Sequence, residues 1–124
     1  MGQHYKDLIA WQKAMDLVSI LYDATEAFPK HEIYSLTNQM RRAAVFVPSN
    51  IAEEQAHYPN REFRHFLRHS RGSLAELETQ VLIAQRRNYL SELQAAELLK
   101  RADEVSRILS GLINSLKDKA VPST

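Results

Sequence analysis

Between Phe63 and Ala84 the side chains Phe63, Phe66, Leu67, Ser70, Leu74, Leu77, Val81 and Ala84 recur on a near-heptad spacing. Strands alternate every second residue, so steps of three and four residues belong to a helix with one buried stripe. The pattern predicts a helix over about 61–88. Tyr58-Pro59-Asn60 marks the break before it, with Asn60 as its N-cap.

Three more helices follow from the same periodicity. In the first, over about 8–27, Leu8, Trp11, Met15, Val18, Tyr22 and Thr25 form the predicted buried stripe and Asp7 the predicted N-cap. Phe28-Pro29 ends it, because a residue before proline avoids the α region. The second covers about 32–57, with Leu36, Met40, Ala43, Val47 and Ile51 as its stripe. Pro48 lies inside and predicts a kink, with two separate helices as the alternative. Ile51 continues the stripe without a phase slip, which favours the kink. Ser49 or Asn50 is placed to satisfy the Ala44 carbonyl that the proline frees. The fourth helix, over about 91–119, opens on Ser91 and Gln94, the spacing of a capping box. Its seam is Leu98, Ala102, Val105, Leu109, Leu112 and Leu116.

Four long helices with short connections predict one all-α domain over residues 1–124, an antiparallel up-down-up-down four-helix bundle. A two-helix hairpin that dimerises is the alternative, although the chain already supplies four faces. A chain of 124 residues can bury one core. Three glycines and four prolines leave little material for the turns of a β protein. With no cysteine there is no disulfide, thiolate ligand or thiol nucleophile. No apolar run approaches the roughly 18 residues needed to span a bilayer, and the N-terminus has no signal-peptide core. The expected location is the cytoplasm, without a membrane partner.

Net charge is +1, yet the charges are unevenly spread. Residues 41–71 carry six arginines, three histidines and three glutamates, whereas residues 1–40 carry three basic and five acidic side chains. On a helix, Arg61, Arg64, Arg68 and Arg71 fall within roughly 80° of one another, away from the apolar stripe. His65 and His69 flank them. Arg41 and Arg42 are expected to point outward from the second helix, beside this row. Guanidinium groups pair with phosphate oxygens, so such a row is a candidate nucleic-acid-binding surface. A row of charges can also do no more than keep a helix wet.

After Gly72 the outward face turns apolar, with Ala75, Thr79, Leu82 and Ile83. Val45, Phe46 and Ala52 leave the stripe of the second helix, and Val45 is level with Ala75 in a hairpin turning near Tyr58. These seven residues are the expected external patch and oligomer interface; a shifted helix phase would put them in the core instead. Gly72, mid-helix, implies close approach by a neighbouring helix or a subunit.

Enzymatic motifs are lacking. There is no nucleophile elbow, phosphate loop or glycine-rich turn opening a helix. Glu76 and Glu78 are two residues apart and face different directions on a helix, so they make no acid–base pair. Glu54 to His57 and Glu62 to His65 have the Glu-x-x-His spacing of di-iron bundles, but both flank one loop. His65 and His69 share a face, among arginines that repel a cation. No catalytic residue, metal or cofactor is assigned.

A set of motifs in order carries a resemblance: Asp7-Leu8-x-x-Trp11-x-x-Ala14, Phe28-Pro29-x-x-Glu32-x-Tyr34-x-Leu36, Gln39-x-Arg41-Arg42-Ala43-Ala44, and Pro48-Ser49-Asn50-Ile51-Ala52-Glu53. Glu62-Phe63-x-x-Phe66-Leu67 and Gly72-Ser73-x-x-Glu76-Leu77-Glu78-Thr79-Gln80 complete it. From about residue 5 to 116 the chain resembles the four-helix-bundle proteins encoded in intervening sequences of bacterial 23S rRNA genes. It is also similar to the accessory variability proteins of diversity-generating retroelements. The resemblance implies a homopentameric bundle and, through the retroelement relatives, a basic surface for RNA and a reverse transcriptase. It implies no catalytic residues. Where the family usually has glycine after Asn-Ile-Ala-Glu, this chain has Glu54-Gln55-Ala56-His57-Tyr58-Pro59.

Overall fold

The computed structural model describes the backbone of residues 5–57 and 60–120, with the side chains at 54–57, 60–63, 66 and 116–120 outside the described residues. Its helices are α1 (Ile9–Thr25), α2 (Leu36–His57), α3 (Asn60–Arg86) and α4 (Glu92–Ala120), with 3-10 turns at Tyr5–Asp7 and Lys30–Glu32. Among the described residues there is no strand. α1 packs on α2 and α4, and α3 packs on α2 and α4, so the four close into a ring.

Cross-contacts give the directions. Thr25, at the end of α1, meets Arg41 near the start of α2, while Trp11, near the start of α1, borders Ala52 towards the end of α2. These two helices are antiparallel. α2 and α3 run in the same reversed order: Val47 meets Ser70, and Gln39 shares a depression with Glu76.

The core is aliphatic. Leu17, Leu21, Met40, Val47, Ile51, Leu67, Leu74, Leu77, Val81, Leu98, Val105 and Leu109 are fully buried. Each contributes about 1.5–3 kcal/mol relative to an exposed position. In α3 the expected stripe is buried from Leu67 to Ala84, including Ser70, whose hydroxyl donates a long 3.5 Å bond to the Val47 carbonyl. Phe63 and Phe66 lie outside the described side chains. In α4, Leu98, Ala102, Val105 and Leu109 are buried as expected; Leu112 is only half-buried and Ile113 takes the inward position.

α1 departs from expectation. Its buried side chains are Ala10, Ala14, Leu17, Leu21 and Thr25, while Met15 and Tyr22 are exposed. From Trp11 to Tyr22 the expected stripe sits one residue, or about 100°, away from the true one. The short side chains of Ala10 and Ala14 let the backbone approach its neighbours. The bulkier Trp11, Met15, Val18 and Tyr22 are displaced to the rim.

Three helix ends are governed by identifiable caps. Ser91 and Gln94 form the expected capping box: the Ser91 amide donates to Gln94 Oε1 at 2.9 Å, and the Gln94 amide to Ser91 Oγ at 3.1 Å. α3 ends in a Schellman motif, with Asn88 at φ 65° and the Tyr89 amide on the Ala84 carbonyl at 2.9 Å. α2 begins later than expected, at Leu36, because Glu32 holds the preceding turn: its carboxylate accepts from Ser35 Oγ at 2.6 Å and from the Leu36 amide at 3.4 Å. Asp7 is not the N-cap of α1; Leu8 is, with no side-chain bond. The Asn60 side chain lies outside the described residues.

α2 passes through Pro48 as one element. The Asn50 carboxamide nitrogen is buried without a partner among the described residues, so it does not satisfy the Ala44 carbonyl. Gly72 is exposed, and a Cβ at this position would meet nothing within 4 Å, so among the described residues no neighbouring helix approaches it closely.

Candidate nucleic-acid interface

The core stripe of α3 fixes where its other residues point. With Leu67, Ser70, Leu74 and Leu77 inward, Arg64, Arg68 and Arg71 fall on one outer flank, about 60° wide. Arg68 and Arg71 are exposed and Arg64 is half-buried. Arg71 Nη1 donates to Ser110 Oγ of α4 at 3.1 Å, which locates this flank on the α4 side. Arg61 belongs to α3, but its side chain lies outside the described residues, as do those of Glu54 and Glu62.

The arginines of α3 and α4 differ in their partners. On α4, Arg101 Nε pairs with Glu97 at 2.7 Å and Arg107 Nε with Asp103 at 2.9 Å, both one turn apart. Among the described residues, Arg64, Arg68 and Arg71 form no such pair. Three guanidiniums on one flank, without a carboxylate partner among the described residues, set three positive charges side by side. His65 and His69, on the adjoining flank, bring their Nε2 atoms within 3.2 Å of each other with ring centroids 4.7 Å apart. No group of three or more metal-ligating side chains occurs among the described residues.

Arg41 and Arg42 do not join this row. Arg41 turns to the opposite side of the bundle: its Nε donates to Thr25 Oγ1 at 3.0 Å, and its guanidinium carbon lies 4.6 Å from the Tyr22 ring centroid. α1 offers it a buried hydroxyl and an aromatic face, neither readable from α2 alone. Arg42 is exposed and borders two depressions, one shared with Tyr22 of α1 and one with Ser73 and Glu76 of α3.

The apolar surface is likewise divided. Val45, Phe46, Leu82 and Ile83 are all exposed, at 37%, 48%, 48% and 45%. Val45 and the half-buried Ala52 line a groove with Tyr5, Trp11, Met15 and Val18, so they face α1 and not α3. Phe46 borders both sides, sharing one depression with Val45 and Tyr22 and another with Ser73 and Glu76. Thr79, Leu82 and Ile83 line a depression with Gln85, Arg86 and Asn88. Ala75 is exposed on the same helix. The expected single patch is therefore at least two surfaces. Trp11 and Met15 were missed because their size and spacing suit a core stripe.

Residues 6–111, which span α1 to α3 and most of α4, match the family model described as 23S rRNA-intervening sequence protein. The chain belongs to that family. Comparison with curated proteins gave no match. The four-helix, all-α architecture agrees with the bundle that the motifs of this intervening-sequence protein imply. Among its described residues no helix is long and apolar enough to cross a membrane.

Proposed function

We propose that this intervening-sequence protein is a non-enzymatic, cytoplasmic, homo-oligomeric module that binds RNA through the arginine flank of α3. The observation that supports this is the contrast in carboxylate pairing: Arg101 and Arg107 are neutralised within α4, whereas Arg64, Arg68 and Arg71 have no carboxylate partner among the described residues. Aligned guanidiniums bind phosphates with little regard for sequence. Assembly, with the pentamer that the family resemblance implies, would repeat the flank and multiply its avidity.

Replacing Arg64, Arg68 and Arg71 together by glutamate tests the assignment. RNA binding, read by fluorescence anisotropy, falls by at least tenfold while circular dichroism stays helical. Unchanged affinity in a folded triple variant rejects it.

Exposed Leu82 and Ile83 favour a second reading, a protein-interaction scaffold such as a reverse-transcriptase accessory factor with no direct RNA contact. A folded protein that binds no RNA at low salt would favour the scaffold.

A further inference from the structure

Arg41 and Arg42, away from the α3 row, line a cleft of their own. Where α1, the 3-10 turn and the start of α2 meet, a cleft of about 550 Å³ is lined by Tyr22, Tyr34, Thr37, Asn38, Arg41 and Arg42, among others. Its size lies within the roughly 300–1,000 Å³ of small-ligand sites.

Three observations give the cleft a chemistry. Tyr34 is 92% exposed at its mouth, a planar ring offered to solvent. Arg41 is held in place by Thr25 and the Tyr22 ring, which fixes a positive charge in the wall, and the exposed Arg42 adds a second. The Asn38 carboxamide supplies both a donor and an acceptor.

We propose that this cleft binds one nucleotide unit, with its base stacked on Tyr34 and its phosphate held by Arg41 and Arg42. A flat aromatic surface, one fixed and one exposed cation, and an amide suit a planar base joined to a phosphate. Because duplex bases are already stacked on one another, the unit is an unpaired nucleotide, either free or within a single strand. The site rests on the assignment of RNA binding to this protein and deepens it. The α3 flank gives backbone affinity, and the cleft gives a preference for unpaired RNA.

The test compares a labelled 12-nucleotide single-stranded RNA with a 12-base-pair RNA duplex, using the full chain and its Tyr34→Ala and Arg64/Arg68/Arg71→Glu variants. AMP is titrated in parallel while the tyrosine ring signals are followed by NMR. Tyr34→Ala is expected to weaken single-strand binding about tenfold, the scale of one lost base–aromatic stack, and to change duplex binding less than twofold. The triple arginine variant weakens both. AMP shifts the Tyr22 and Tyr34 signals. Single-strand affinity that is unchanged, or falls no more than duplex affinity, in Tyr34→Ala overturns the cleft and leaves the arginine flank standing. If the wild type binds neither RNA, the flank fails and AMP decides: shifts of Tyr22 and Tyr34 keep the site, and their absence ends it.

Discussion

The Tyr89 hydroxyl donates to Glu32 Oε2 at 2.9 Å, joining residues 57 positions apart. The bond ties the turn between α1 and α2 to the turn between α3 and α4. The Tyr89 ring also packs on Phe28, with centroids 5.4 Å apart. One end of the bundle is thus latched by a carboxylate that also caps its own turn.

That carboxylate makes the latch sensitive to acid. Bonds from Ser35 first, then from Tyr89, hold the Glu32 pKa below the ordinary glutamate range. A depressed folded-state pKa gives stability that is present above the unfolded pKa and lost as pH falls through the folded one. Tyr89→Phe should lower the melting temperature at pH 7. The gap from wild type should close only below about pH 4, where unfolded glutamate is largely protonated. Thermal scans from pH 7 to pH 2.5 read both effects.

Glu78 has the opposite sign. Burial first, and the neighbouring Asp103 second, push its pKa up. A raised folded-state pKa disfavours the fold at neutral pH, and the penalty fades as pH falls through the folded value towards the unfolded one. Glu78→Gln should raise the melting temperature at pH 7 and have no effect below about pH 4. Paired scans at the two pH values check it.

Gly72 separates the protomer from the assembly. It is exposed on α3 and a Cβ there touches nothing within 4 Å. Gly72→Ala should stabilise the isolated fold by about 1 kcal/mol through helix propensity. If another subunit approaches α3 at this point, the same change should weaken assembly. Chemical denaturation and mass measurement on one sample separate the two.

Leu82 and Ile83 are each nearly half exposed beside Thr79 and Arg86. Replacing both by serine should leave the helical signal and melting cooperativity intact, since neither belongs to the core. If they cover a subunit interface, the particle mass at micromolar concentration should fall.

How far the sequence could be read depended on contrast along each helix. α3 was legible because its inward aliphatics and outward arginines differ sharply, so the phase at Leu67, Leu74 and Leu77 is unambiguous. The Ser91–Gln94 cap is local and was equally plain. α1 was misread because two parallel apolar rows compete, Ala10-Ala14-Leu17-Leu21 and Trp11-Met15-Val18-Tyr22, and size favoured the wrong one. The position of Arg41 depends on a Thr25 hydroxyl sixteen residues away, a tertiary fact that no spacing encodes. The cleft at Tyr34 was missed for the same reason: its walls come from α1, α2 and the turn between them.

If the α3 guanidiniums that lack a carboxylate partner among the described residues take up RNA phosphates, as proposed, binding releases condensed ions, and a salt series measures this directly. Binding of a single-stranded RNA should be followed from 50 to 300 mM salt for the wild type and for Arg68→Gln. The wild-type plot of log K against log salt should slope steeply downward, and loss of Arg68 should reduce the slope by about 0.7. A flat wild-type plot, or an unchanged slope in Arg68→Gln, would contradict the account.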